Sequence, residues 1–372
     1  MKNIILCCDG TNNKLEGDLT NVARLSQIAI QDESQRVFYD PGVGTMADPA
    51  ARGPMAKRWS LVKGLAFGAG FQQNVFDAYS YLMREYQPGD RVFLFGFSRG
   101  AFTARVVAGM LHGVGLLNAG SEKLLPSVWE KYRAIRILPP EATAAERAAA
   151  QRHDEEVKAL RHESTKPCTV AFLGPWDTVG SVGMYNWNQA YPFTFENGSV
   201  EMTRHAVSLD ERRAGFRSNV FKADPTPLPG SNRPRVMNVW FPGVHSDIGG
   251  GYAWPGESGL AMIAFQWMVR EARTAGLRVD DSKLTSLLTQ CPPNASADMH
   301  VSLKGGWNAM EYLPARRFDW KKKKTIWRYD PKKPRTMIES PFLHQCIHDR
   351  MAARNDYRPV NLPPNHGYPT EA

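Results

Sequence analysis

A short apolar run, Arg91 to Phe95, leads without a break into Gly96-Phe97-Ser98-Arg99-Gly100, and a stretch of small residues follows from about Ala101 to Leu111. The G-x-S-x-G pattern puts a serine on a strained turn between a strand and a helix. Side chains two positions to either side would strike the turn, and Gly96 and Gly100 remove those collisions. The preceding strand and following helix separate this pentapeptide from a chance match. They also predict a chain in which strands alternate with helices.

The rest of the sequence repeats that alternation. Apolar runs at 4 to 8, 168 to 173 and 236 to 241 read as buried strands, each ending in a turn-rich segment: Asp9-Gly10-Thr11-Asn12-Asn13, Gly174-Pro175-Trp176-Asp177-Thr178 and Pro242-Gly243-Val244-His245-Ser246-Asp247. Helices are expected from Gly70 to Tyr86, where Phe71, Val75, Ala78, Tyr79, Leu82 and Tyr86 recur at helical spacing, and from Gly259 to Ala275, with Ser258 as its cap and Gly276 as its stop. Thr143-Ala144-Ala145-Glu146 is a capping-box pattern opening an alanine-rich, charged helix to about His162. Its weak apolar stripe marks 115–165 as a helical insertion or cap. The predicted fold is α/β-hydrolase-like, a mainly parallel sheet with helices on both faces, and 1–372 reads as one catalytic domain. The 304–335 segment reads as loop, crowded with Trp307, Trp320, Lys321 to Lys324, Trp327 and Arg328, and the tail after Arg358 as extended or frayed.

An elbow serine needs a base and an orienting acid, and in such a sheet they follow in the order serine, acid, histidine, each at the carboxyl end of a strand. Asp177 and His245 occupy those positions. The amide of Arg99, at the start of the helix after Ser98, can hold an oxyanion, and the loop after the first strand can add a second amide from Gly10 or Thr11. Asp9 and Asp247 are secondary candidates, Asp247 as an alternative orienting acid. His205, in a segment that reads as helical, and His112, on the helix leaving the elbow, are expected to be structural. A phosphatase that uses Asp-x-Asp-Gly-Thr is the competing reading of the Asp9-Gly10-Thr11 turn, but Cys7 stands where its nucleophilic aspartate belongs.

Composition narrows the setting more than the chemistry. With 42% apolar and 22% charged residues the chain can bury a large core. Its formal net charge of +9 favours polyanionic surroundings without naming one. Five cysteines, an odd number without metal-ligand spacing, indicate neither a disulfide framework nor a zinc site, and no metal or cofactor is expected. Asp9 interrupts the apolar start before a signal-peptide core can form, and no run reaches the roughly 18 apolar residues of a spanning helix. Synthesis in the cytoplasm is expected, with any export by a route that needs no cleaved signal. The 304–335 cluster can set tryptophans at an anionic lipid surface or turn them into the core; both readings stand. No nucleic-acid module accompanies it.

Five segments in order, Cys8-Asp9-Gly10-Thr11-Asn12-Asn13, Tyr39-Asp40-Pro41-Gly42-Val43-Gly44-Thr45, Gly96 to Ala101, Phe172 to Gly180 and Trp240 to Tyr252, together resemble the catalytic domain of the type VI secretion phospholipase effectors and their α/β-hydrolase relatives. The resemblance runs from about residue 3 to 360, through Leu343-His344-Gln345-Cys346-Ile347 and Tyr357-Arg358-Pro359. It implies a triad of Ser98, Asp177 and His245 and a phospholipase activity of the A1 or A2 type. It also implies secretion-apparatus partners and, for a toxin, an immunity partner. A soluble esterase or thioesterase, or a binding protein on a hydrolase fold, are the alternatives.

Overall fold

Burial on both faces of the first strand sets the architecture. In β1 (Asn3–Cys8), Ile4, Leu6 and Cys8 face one apolar cluster while Ile5 and Cys7 face another, so both faces of the sheet must be covered. The computed structural model describes residues 1–10, 17–42, 70–139, 141–180, 191–303, 311–312, 315–319, 322, 324–329, 331–362 and 367–372. After β1 come α1 (Asn21–Ile28), β2 (Gln35–Asp40), α2 (Phe71–Glu85), β3 (Arg91–Phe97), α3 (Arg99–Gly113), α4 (Leu125–Ala134), α5 (Ala144–Ser164) and β4 (Val170–Trp176). The chain continues through β5 (Val200–Ser208), β6 (Asp224–Pro227), β7 (Pro234–Phe241), α6 (His245–Gly249), α7 (Gly259–Thr274), α8 (Asp281–Gln290), β8 (Phe342–His344), α9 (Cys346–Ala353) and β9 (Thr370–Glu371).

The strands form one sheet in the order β9-β8-β7-β5-β4-β3-β1-β2, parallel throughout, with β6 antiparallel along the start of β7. The order runs one way from β1 to β2 and the other way from β1 to β3. Such a reversal opens a crevice beyond the carboxyl ends of the two central strands. α2 and α3 cover one face through Val75, Tyr79, Leu82, Phe102 and Val106, and α1 and α7 cover the other through Val22, Leu25, Phe265 and Met268. The expected α/β-hydrolase-like arrangement is therefore what the chain adopts.

Between α3 and β4 lie the two helices of the 115–165 stretch, closed by a small ladder that pairs Leu116 and Leu117 with Lys166 and Thr165. The capping box at Thr143 is formed: its hydroxyl accepts from Glu146 N (3.2 Å) and Glu146 Oε2 accepts from Thr143 N (2.8 Å). Val157 is the one buried residue of α5, and Lys131 on α4 holds Glu156 at 2.8 Å.

Three expectations need correction. The His205 segment is strand β5, because its polar residues find buried partners: Arg204 pairs with Glu271 at 2.7 Å, and His205 bonds Asn238 and the Thr178 amide. The 304–335 segment contains an antiparallel hairpin, Ala315–Asp319 with Lys324–Arg328. Of the tail, read as extended or frayed, Thr370–Glu371 is extended and adds a parallel strand beside Leu343 and His344. Ser258 precedes α7 without capping it; its hydroxyl accepts from Arg24 and donates to the Tyr252 carbonyl.

Candidate active site

Ser98 sits one residue beyond β3 with φ 59° and ψ −120°, a conformation that costs a non-glycine residue about 1–3 kcal/mol and persists only where its surroundings impose it. They do so here. Ser98 N donates to the Trp176 carbonyl (3.2 Å), and the Ser98 carbonyl accepts from Val179 N (3.4 Å), tying the turn to the end of β4. A Cβ on Gly96 would lie 2.5 Å from the Gly100 carbonyl, so this tight path requires glycine. Arg99 is the first residue of α3, and its amide lies at the helix's positive end beside the half-buried serine.

The sheet register brings the other candidates to the same edge. Cys8 pairs with Gly96, Phe97 with Trp176, Trp176 with Ala206, and Ser208 with Phe241, so the residues just past each strand emerge side by side. Asp177 takes φ 38° there, and its Oδ2 accepts from His245 Nδ1 at 2.5 Å. Its Oδ1 accepts from Ser208 N at 2.9 Å. Burial pushes the Asp177 carboxyl up, but the Arg335 charge and the His245 hydrogen bond more than reverse this and hold it well below the usual carboxylate range.

His245 opens α6 with its ring between Phe97 (centroids 4.6 Å apart) and Phe216 (4.9 Å, edge-on). Burial lowers its pKa from the ordinary 6.5, and Asp177 only partly offsets that. Because Nδ1 faces a carboxylate it carries the proton, which leaves Nε2 with a lone pair. That nitrogen is buried and has no hydrogen-bond partner among the described residues. A neutral imidazole whose acceptor nitrogen has no partner among the described residues is able to take a proton.

Of the remaining candidates, Asp247 turns away from His245: its Oδ1 accepts from His300 Nδ1 (2.6 Å) and its Oδ2 from Val244 N (2.9 Å). Asp9 is a buried clasp that accepts from Thr20 Oγ1 (2.5 Å) and Tyr39 OH (2.8 Å). The Gly10 amide donates to Asp9 Oδ1 at 2.6 Å, so the structure corrects its expected role as an oxyanion donor: that hydrogen is already used. Thr11 lies outside the described residues. His205 is buried, and burial beside Arg105 drives its pKa down to about 3. Cys7 is a buried thiol that burial pushes far up, which suits packing rather than phosphoryl transfer.

Two residues of this site have no signal in the sequence. Arg335 grips Asp177 through Nη1 to Oδ1 (2.5 Å) and Nη2 to Oδ2 (3.0 Å). Glu211 accepts from the His245 amide (3.2 Å) and pairs with Arg213 (2.8 Å). Each is a single charge in a charged stretch, and only the fold reveals its partner.

A family model described as type VI secretion system phospholipase effector Tle1-like, catalytic domain, matches residues 2–271, well over half of the chain. The chain belongs to this family. Ser98, Asp177 and His245 all fall inside the matched residues, and Arg335 falls beyond them. Over 243 residues the chain is 35% identical to the uncharacterized protein YEL023C of Saccharomyces cerevisiae, covering 61% of this chain and 33% of that one. Two solved structures are also similar. One is an uncharacterized protein from Pseudomonas aeruginosa (TM-score 0.41, 19% identity, 77% of this chain and 48% of that one). The other is the Tle1 effector bound to the VgrG spike of the type VI secretion system (TM-score 0.36, 19% identity, 70% of this chain and 52% of that one). The chain thus spans a third of the yeast relative and about half of each solved chain.

Proposed function

We propose that this chain is a serine phospholipase of the A1 or A2 type. Ser98 attacks the carbonyl carbon of a glycerophospholipid ester while His245 Nε2 takes its proton; Asp177 holds the imidazolium that forms, and the Arg99 amide at the head of α3 stabilises the oxyanion. Collapse of the tetrahedral intermediate breaks the bond to the glycerol oxygen, which receives the proton from His245. Water then repeats the sequence on the acyl-serine and releases the fatty acid. The observation that carries this reading is the buried His245–Asp177 pair, with its unsatisfied Nε2, on the same sheet edge as the strained Ser98.

A lipid substrate requires contact with a membrane surface, and no helix among the described residues is long and apolar enough to cross one. The hairpin region supplies an alternative, because Tyr312, Trp327 and Tyr329 are 55%, 64% and 58% exposed, with Lys322 and Lys332 also exposed nearby. Aromatic rings at the headgroup level and lysines facing anionic lipid would seat the protein on the bilayer. Family membership further supports a secretion-apparatus partner, delivery into a target cell and, for a toxin, an immunity partner.

Incubation with a mixed membrane extract followed by lipid mass spectrometry tests the substrate and the cleaved position together. Lysophospholipid and free fatty acid are expected in equal amounts. Turnover of short water-soluble esters alone would replace the phospholipase reading with a soluble esterase, and failure of a fluorophosphonate probe to label Ser98 would remove the serine mechanism.

A further inference from the structure

The carboxylate of Asp177 is more heavily occupied than orienting a histidine requires. Besides His245 and the Ser208 amide it accepts both Nη atoms of Arg335, in a pair whose side chains are 0% and 1% exposed. Arg335 is itself over-determined. Its Nε donates to the Phe216 carbonyl (3.0 Å) and its Nη1 to the Ser208 carbonyl (3.0 Å), while its own carbonyl accepts from Asn361 (3.1 Å). Three residues upstream, the Lys332 amide donates to Glu311 (2.8 Å), which also accepts from Ala214 N (2.6 Å). The buried Glu311 thus pins the chain at the base of the hairpin, from which Arg335 enters the site.

An arginine fork on a carboxylate does two separable things. Its planar geometry fixes the carboxylate's rotation, since two parallel hydrogen bonds are kept only in one orientation. Its charge opposes the field that the carboxylate exerts on a neighbouring imidazole. We infer that Arg335 is a positioning residue for the His245–Asp177 pair: its fork fixes which Asp177 oxygen faces the imidazole and offsets the charge presented there. This rests on the serine-hydrolase reading for its consequence in turnover, but not for its effect on the imidazole. The charged groups that face His245 are Asp177 from the end of β4, Glu211 and Arg213 from the segment after β5, and Arg335 behind Asp177. Phe97 and Phe216 cover the ring. Removing Arg335 leaves the carboxylate's pull on the imidazole unopposed, so His245 holds its proton to higher pH.

The test compares wild type, Arg335→Lys and Arg335→Met by NMR titration of the His245 imidazole, assigned from the spectrum of His245→Gln, and by the pH profile of kcat/KM on a phospholipid. In folded Arg335→Met the midpoint rises by about one unit, and the acid limb of kcat/KM moves with it. In Arg335→Lys, which keeps the charge and loses the fork, the midpoint stays near the wild-type value while kcat falls about tenfold. An unchanged midpoint in folded Arg335→Met, or a wild-type kcat in Arg335→Lys, overturns the inference. If Arg335→Met does not fold, the kcat of Arg335→Lys decides. Failure of the serine-hydrolase reading shows separately, as wild type without turnover or Ser98 labelling; the NMR comparison then decides the inference alone.

Discussion

Gly100 rests its bare Cα against the backbone carbonyl of Cys8, and any Cβ there would overlap that oxygen and the carbonyl of Asp9. The head of α3 can therefore approach the end of β1 only because position 100 lacks a side chain, and this approach sets the Ser98 turn. Gly100→Ala has rigid backbone to displace, so it is expected to lose about 1–3 kcal/mol of stability, with hydrolysis reduced further by the moved serine. Thermal unfolding and ester hydrolysis measure both effects. Gly256→Ala, where a Cβ would meet nothing within 4 Å, is the control and is expected to match wild type.

The acid side of the stability curve follows from Glu211 and Asp177. Burial raises the Glu211 carboxyl, but the Arg213 hydrogen bond and charge pull it down to about 2, and Asp177 is depressed as well. Both folded values lie below the unfolded ones, so their contribution is complete above about pH 5 and fades as the pH falls through the folded values. For Glu211 alone it amounts to about 3 kcal/mol. Urea midpoints should fall steadily from pH 5 to pH 3, and Arg213→Met should be less stable at pH 7 with a flatter acid slope. A parallel slope in that variant would remove Glu211 from the explanation.

Much of this site is legible in the sequence because strand ends in a parallel sheet emerge on one edge. Locating the apolar runs before Asp9, Ser98, Asp177 and His245 was enough to gather them. What the sequence concealed depends on long-range pairing. Arg335 lies 158 positions from Asp177, in a stretch already rich in lysine and arginine. Strand β5 was disguised by Arg204 and His205, whose polarity is absorbed by Glu271 and Asn238 on other elements. Asp247, two residues beyond His245 in the chain, is the less informative neighbour, since a helical turn aims it at His300 instead.

Catalysis should carry the signature of a base that stays neutral. His245 is held below 6.5, first by burial, so kcat/KM is expected to rise with pH through a value under about 6.5 and then level off. A rate profile from pH 4.5 to 9 reads this directly. An acid limb centred above pH 7.5 would mean that another group controls the reaction.

Contact with lipid should depend on the exposed aromatic residues of the hairpin region. Burying two such rings in the headgroup layer is worth enough that Trp327→Ala combined with Tyr329→Ala should weaken sedimentation with anionic vesicles at least about tenfold. Hydrolysis of a short soluble ester should be unchanged. Equal vesicle binding would move the membrane-facing surface elsewhere.

The most direct test of the account is fatty-acid release from phospholipid vesicles by wild type and by Ser98→Ala, with folding of the variant checked by circular dichroism. Wild type is expected to release fatty acid and Ser98→Ala to be slower by at least about 10³-fold. Equal release by the two proteins would contradict the assignment of Ser98 as the nucleophile.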